Sequence, residues 1–268
     1  MLGSIIGDII GSCYEFNNTN EIDFDLFSEE STFTDDTVLT VATADAILSG
    51  EGYLEKYQDS YFRYPNRGWG GMFDIMARDG NLGPYNSFGN GSAMRVSPCG
   101  WAYNSYDRTL EEAEATAIVT HNHPEGIKGA KAVAGAIYIA RNGGSKDEIM
   151  KAVSSLGYDL RWPLSSFKSV FDETCQGTIP ICMALFNETD SFEDAIRMTI
   201  AHGGDCDTTG CIVGGIAEAF YGRPPQFMII ESFKRIPDKM KRTVLKFVRK
   251  FCYNDFEDPL SLFKLEDI

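Results

Sequence analysis

The chain has 268 residues, 43% hydrophobic and 24% charged, which suits a globular fold and excludes collagen, a disordered chain and a disulfide miniprotein. Its net charge is −15, yet residues 234–250 hold eight Lys/Arg against one acid, a local +7 that leaves −22 on the rest. So acidic a body repels a phosphate backbone, and stable nucleic-acid binding is not expected.

The elements follow in chain order. Glycines 3, 7 and 11 recur at four-residue spacing, a small-residue stripe along one helix face that close packing explains. Asp8 and Glu15, seven apart, share a face of that helix, with Glu15 at its end. Residues 36–48 place Val38, Leu39, Ala42, Ala46 and Leu48 near one face of a second helix. Residues 110–119 and 127–141 read as helices, the latter rich in Gly and Ala. Residues 145–156 open on Ser145 followed by Asp147 and Glu148, a good N-terminal signature. Ser191 precedes FEDAIRMTIA, with Asp194 as a weaker capping-box partner. Residues 207–220 and 238–252 complete the helices, and the basic run 234–250 reads as the solvated face of the last one. No stretch alternates with period two between hairpin turns. The expectation is an all-α fold, one domain over 1–268, with about ten or more helices.

Seven cysteines without a CxxC, and only three histidines, point to buried, reduced thiols and not to zinc. No apolar run approaches the about 20 residues that span a bilayer. The opening MLGSIIGDII lacks a basic lead and is interrupted by Asp8, unlike a signal peptide. A cytoplasmic monomer is the expectation.

Chemistry concentrates in four places. Thr34-Asp35-Asp36-Thr37 and Asp205-Cys206-Asp207-Thr208 each precede an apolar helix. Capping and the helix dipole account for one acid per helix; two acids beside a Thr, twice over, exceed that need. Brought together, the carboxylates repel by roughly 4 kcal/mol per pair at ~4 Å. They would require a cation, and hard oxygen ligands suit Mg²⁺, Mn²⁺ or Ca²⁺. Gly89-Asn90-Gly91 leads towards a helix, and its backbone can approach an anion; alone, it reads more readily as an ordinary turn. Upstream Tyr85, Asn86, Ser87 and Phe88 can flank a nucleotide or enter the core. His121 and His123, at i and i+2 before Pro124, cannot form an HExxH zinc site.

The order GxxxGDxxGxxxE, TDDT, GNGSAMR, THNHPEG and GGDCDT, then GGIAEAFYG, resembles the ADP-ribosylglycohydrolase family over residues 3–222. The resemblance implies an all-α, compact orthogonal multi-helix domain holding two divalent metal ions, Mg²⁺ or Mn²⁺. It implies metal ligation by Thr34, Asp35 and Asp36 and by Asp205, Asp207 and Thr208. Glu15 matches an acid that approaches the metals as ligand or mobile gate. Ser87, Phe88, Gly89, Asn90 and Gly91 match the ADP-ribose loop, and His121 matches a ribose- or phosphate-side histidine. The implied reaction is hydrolysis of the bond between ADP-ribose and an acceptor on a protein, a nucleobase or a small molecule. Water attacks ribose C1 through an oxocarbenium-like transition state, with Glu15 or Asp36 as the base. A catalytically inactive ADP-ribose-binding or structural relative, and a Mg²⁺-dependent phosphoester hydrolase, are the alternatives.

Overall fold

The computed structural model describes residues 1–161, 163–167 and 170–260; residues 261–268 of the expected single domain lie outside them. The fold is all-α, with fourteen α-helices and no strand among the described residues. Two helices occupy the centre. Helix α1 (Leu2–Gly11) is buried at every residue, and α12 (Cys206–Tyr221) is buried from Cys206 to Ala219. Both are apolar almost all round, so only the middle of the fold can accommodate them.

Their contact is the most extensive between any two helices, and glycine makes it possible. A Cβ on Gly3, Gly7 or Gly11 would overlap the backbone carbonyl of Gly214, Gly210 or Cys206 respectively. Glu218 anchors the start of α1, accepting from the Met1 amino group at 2.5 Å and from Gly3 N–H at 2.8 Å.

Around this pair lie α2 (Asp35–Ser49), α5 (Gly91–Met94), α6 (Ser97–Ala102), α8 (Pro124–Arg141), α10 (Cys175–Asn187) and α11 (Phe192–His202). The outer elements are α3 (Tyr53–Arg63), α4 (Gly71–Arg78), α7 (Tyr106–Ile118), α9 (Lys146–Ser155), α13 (Gln226–Arg235) and α14 (Asp238–Phe247). Ser145 caps α9 in a complete capping box with Glu148. At α11, Ser191 accepts from Asp194 N–H, but the Asp194 carboxylate reaches back to Asp190 N–H, so the box is not closed.

Three expectations change. The first helix ends at Gly11, so Glu15 lies in the turns beyond it and does not share a helical face with Asp8. The glycine-rich loop enters only the four-residue α5. The expected helix 238–252 is regular only to Phe247 and widens into a π turn over Val248–Cys252. Its basic residues do face outward: α14 buries Met240, Thr243, Val244 and Phe247, while Lys239, Arg242 and Lys246 are exposed. All seven cysteines are free, five of them buried and Cys13 and Cys252 half-buried.

The central crossing makes a prediction. Gly7→Ala forces a methyl against a backbone carbonyl that no side-chain rotation can relieve. It should cost about 1–3 kcal/mol or more, read as a lower urea midpoint with little change in the slope; an unchanged midpoint would show that the two helices can separate freely.

Candidate active site

A cavity of about 470 Å³ opens at the N-terminal ends of α2 and α12. Glu15, Asp35, Asp36, Asp205, Asp207, Thr208, residues 87–91 and His121 all line it. Of the residues expected from sequence, only Thr34 does not.

The acids fall into two groups that share one member. Asp8, Asp36 and Asp207 offer oxygens within 4.8 Å of one another, as do Glu15, Asp205 and Asp207. The crossing of α1 and α12 explains the first group, since Asp8 follows Gly7 and Asp207 precedes Gly210. Asp8 also caps α2 from outside, accepting from Thr34 N–H at 3.1 Å and Thr37 N–H at 3.0 Å. Thr34 is the N-cap of α2: its hydroxyl accepts from Asp36 N–H at 3.2 Å and donates to Asp8 Oδ1 at 2.7 Å. Asp205 stands at the N-cap of α12 but makes no side-chain capping bond. Asp35 lines the cavity yet joins neither group. Thr208 lies behind Asp36, its hydroxyl donating to Asp36 Oδ2 at 3.4 Å.

Burial and mutual repulsion dominate the electrostatics. Burial, then Asp207, raises the Asp8 pKa to about 7, against hydrogen bonds from Thr37 and Thr34 that lower it. Burial, then Asp207 and Glu173, raises Glu15 to about 8. Asp35, Asp36 and Asp205 are held well above the carboxylate range by burial and then by Asp207. Asp36 Oδ1 is buried without a hydrogen-bond partner. These acids share their protons or require positive charge from outside the chain.

The glycine loop forms the facing wall. It pairs antiparallel with the start of α10: Asn90 N–H donates to Glu173 O at 2.7 Å, and Cys175 N–H to Phe88 O at 2.9 Å. The Asn90 side-chain amide donates to Asp205 Oδ2 at 2.7 Å and Thr178 Oγ1 at 3.1 Å, while the residue lines the cavity. Gly91 is glycine because a Cβ there would come within 3.0 Å of His121 Nε2. Phe88 is 44% exposed, with its ring edge-on to His123. His123 serves as the N-cap of α8, accepting from Glu125 N–H at 3.1 Å.

Sequence reasoning missed four contributors. Asp8 was visible as the one acid in an otherwise apolar helix, a position that a carboxylate occupies only when paired or functional. Glu173 and Thr174 line the cavity from a segment without a motif. Arg95 lines it too, although fully buried.

The sequence profile of the ADP-ribosylglycohydrolase family matches residues 1–227. The mouse ADP-ribosylhydrolase ARH3 is 24% identical, over 83% of this chain and 82% of its own. The ADP-ribosylarginine hydrolase Tri1 of Pseudomonas putida is 26% identical, over 85% and 72%. The ADP-ribosyl-[dinitrogen reductase] glycohydrolase of Rhodospirillum rubrum is 26% identical, over 82% and 84%. A solved ADP-ribosylglycohydrolase-related protein complex shares the fold at a TM-score of 0.67 and 22% identity, over 98% of this chain and 95% of that one. The profile match, most of the chain long, is the conclusion that the ordered motifs and the all-α fold lead to: this chain belongs to the ADP-ribosylglycohydrolase family.

Proposed function

We propose that this chain is an ADP-ribosyl glycohydrolase that cleaves the glycosidic bond between ADP-ribose and an acceptor, using divalent metal ions. Family membership and the hydrolase names of three relatives support the reaction class. The observation that carries the reading is the convergence of two carboxylate groups, sharing Asp207, with the 87–91 loop around one cavity.

The residues fit metal ions. The donor set is all oxygen, which suits Mg²⁺ or Mn²⁺, and the unpartnered buried Asp36 Oδ1 has no protein donor to satisfy it. Asp8, Asp36 and Asp207 would hold one ion, and Glu15, Asp205 and Asp207 the other. Divalent cations there supply Lewis acidity and the charge that lets these carboxylates ionise together.

The chain's own residues do the rest. The backbone of 87–91 lies where a diphosphate can approach closely. Glu15 is half-buried at the cavity, while Asp36 is buried and receives the Thr208 hydroxyl, so Glu15 is the better-placed base. It accepts the proton of a water that attacks ribose C1; the C1–acceptor bond breaks as the new C–O bond forms, its electron pair leaves with the acceptor, and the proton passes on to that acceptor. The cluster's negative charge stabilises the oxocarbenium character of that transition state. ADP-ribosylated arginine, serine, nucleobase and small-molecule substrates, assayed for released ADP-ribose, test the reaction and identify the acceptor.

Asp207→Ala removes the acid common to both groups. Turnover should be lost, along with the rise in Tm that Mg²⁺ or Mn²⁺ produces, while circular dichroism stays helical. Near-parental turnover would contradict the shared site.

Glu15→Gln keeps shape but loses the base. kcat should fall about 100-fold or more while calorimetry still detects ADP-ribose. A kcat within a few-fold of the parent would assign Glu15 a structural role.

Without divalent ions, stability should depend on pH with an unusual sign. Glu15 and Asp8 titrate near 8 and 7 in the fold, against ordinary values of 4.5 and 3.8. Between those limits the folded state retains protons that the unfolded chain has released, so stability falls as pH rises. Thermal melts in EDTA should therefore drop from pH 5 to pH 8, and Mg²⁺ should flatten the decline. Parallel curves with and without Mg²⁺ would contradict the linkage.

A further inference from the structure

His121 stands behind the glycine loop with its two ring nitrogens in different surroundings. Nδ1 lies 2.7 Å from Thr120 Oγ1. Nε2 makes no hydrogen bond among the described residues; it is the atom nearest a Cβ built on Gly91, at 3.0 Å, and lies 3.6 Å from one built on Gly89. The ring lines the cavity on that side.

Thr120 Oγ1 has a second neighbour. Arg95 Nη2 donates to it at 2.7 Å and to Thr116 O at 2.8 Å. Arg95 is fully buried, with its guanidinium 4.3 Å from the centre of the Tyr57 ring.

Counting protons decides the tautomer. A guanidinium only donates, so Thr120 Oγ1 accepts from Arg95 and its own proton is left to give. Among the described residues, the one acceptor it contacts is His121 Nδ1. If Nδ1 carried a proton instead, the threonine hydroxyl would be left buried without an acceptor. An imidazolium would bring a second cation beside Arg95. Burial and that guanidinium both hold the His121 pKa well below its usual value.

We propose that Arg95 and Thr120 are positioning residues that hold His121 as the neutral Nε2–H tautomer, a fixed hydrogen-bond donor for an anionic oxygen over residues 87–91. The relay stands on protein geometry alone; the identity of its anion, the ADP-ribose diphosphate, rests on the function proposed above. A neutral ring suits that task, because its single proton faces the loop and the opposite nitrogen is locked by Thr120.

The test is nitrogen NMR of the full chain labelled with ¹⁵N-histidine at pH 7, with His121 assigned from the signals lost in His121→Gln. The expected spectrum shows a protonated Nε2 and an unprotonated Nδ1. Thr120→Val keeps the shape and removes the hydroxyl. It should mix the two tautomers and weaken ADP-ribose binding about tenfold, raising KM with kcat within about twofold. Thr120→Ser should restore both properties, and it decides the matter if Thr120→Val does not fold. An Nδ1–H ring or a doubly protonated ring in the parent overturns the proposal. So does a Thr120→Val protein with unchanged tautomer and unchanged affinity. A parent with the Nε2–H ring that binds no ADP-ribose upholds the relay and overturns the ligand reading instead.

Discussion

Gly7 of α1 and Gly210 of α12 meet backbone to backbone, and the site depends on that contact. Only glycine on both sides lets two helices approach until a carbonyl occupies the space of a missing Cβ. Asp8 is the next residue on one helix, and Asp207 lies one turn back on the other. The approach that packs the core therefore also forces two carboxylates together in a buried place. A looser crossing would spare the repulsion and lose the site. Asp8 then joins α2 to the pair, because its carboxylate caps that helix through Thr34 and Thr37 and brings Asp36 alongside. Three helices converge on one acid.

Such a cluster opposes folding. Burial raises the pKa of each of its acids, and for all but Asp207 a neighbouring carboxylate raises it further. The surrounding core supplies the stability that tolerates it, since α1 and most of α12 are buried apolar helices. Hydrogen bonds from Thr34, Thr37, Asn90 and Thr208 satisfy individual oxygens without neutralising the charge. Among the described residues this site gathers acids without cationic partners, and its carboxylate groups could hold a metal ion. Arg95 illustrates the rule: this buried cation in the cavity wall is directed to Thr116, Thr120 and Tyr57.

Much of this was legible in the sequence, for identifiable reasons. Helices with clear caps or apolar faces, such as those at Ser145 and Ser191, could be read from local signals. Others lacked such signals: α10 carries Gly177 and Pro180 inside it, α6 is six residues long with Pro98 in its first turn, and α3 buries only Tyr57. Both acidic motifs stood out because two acids exceed what a cap needs. Asp8 was visible as a lone acid in an apolar helix, but its partners depend on a helix crossing that no local pattern encodes. Glu15 was placed in the cavity correctly but on the wrong support, since a helix that stops at Gly11 leaves it in the following turns. Asn90 does line the cavity, and its bond to Asp205 could be seen only by knowing that residues 90 and 205 are neighbours.

That last contact joins the two halves of the site. The glycine loop and the acids that line the cavity come from distant stretches of chain. Asn90 spans them, with its backbone N–H on Glu173 O and its side chain on Asp205 and Thr178. Glu173 in turn lines the cavity and raises the Glu15 pKa. The 87–91 backbone is thus tied to Asp205 through one side-chain amide and to Glu173 through one carbonyl. Charge placed among the acids acts back on the loop through the same atoms. No moving domain is needed to link the two walls of the cavity, because Asn90 is a structural part of both.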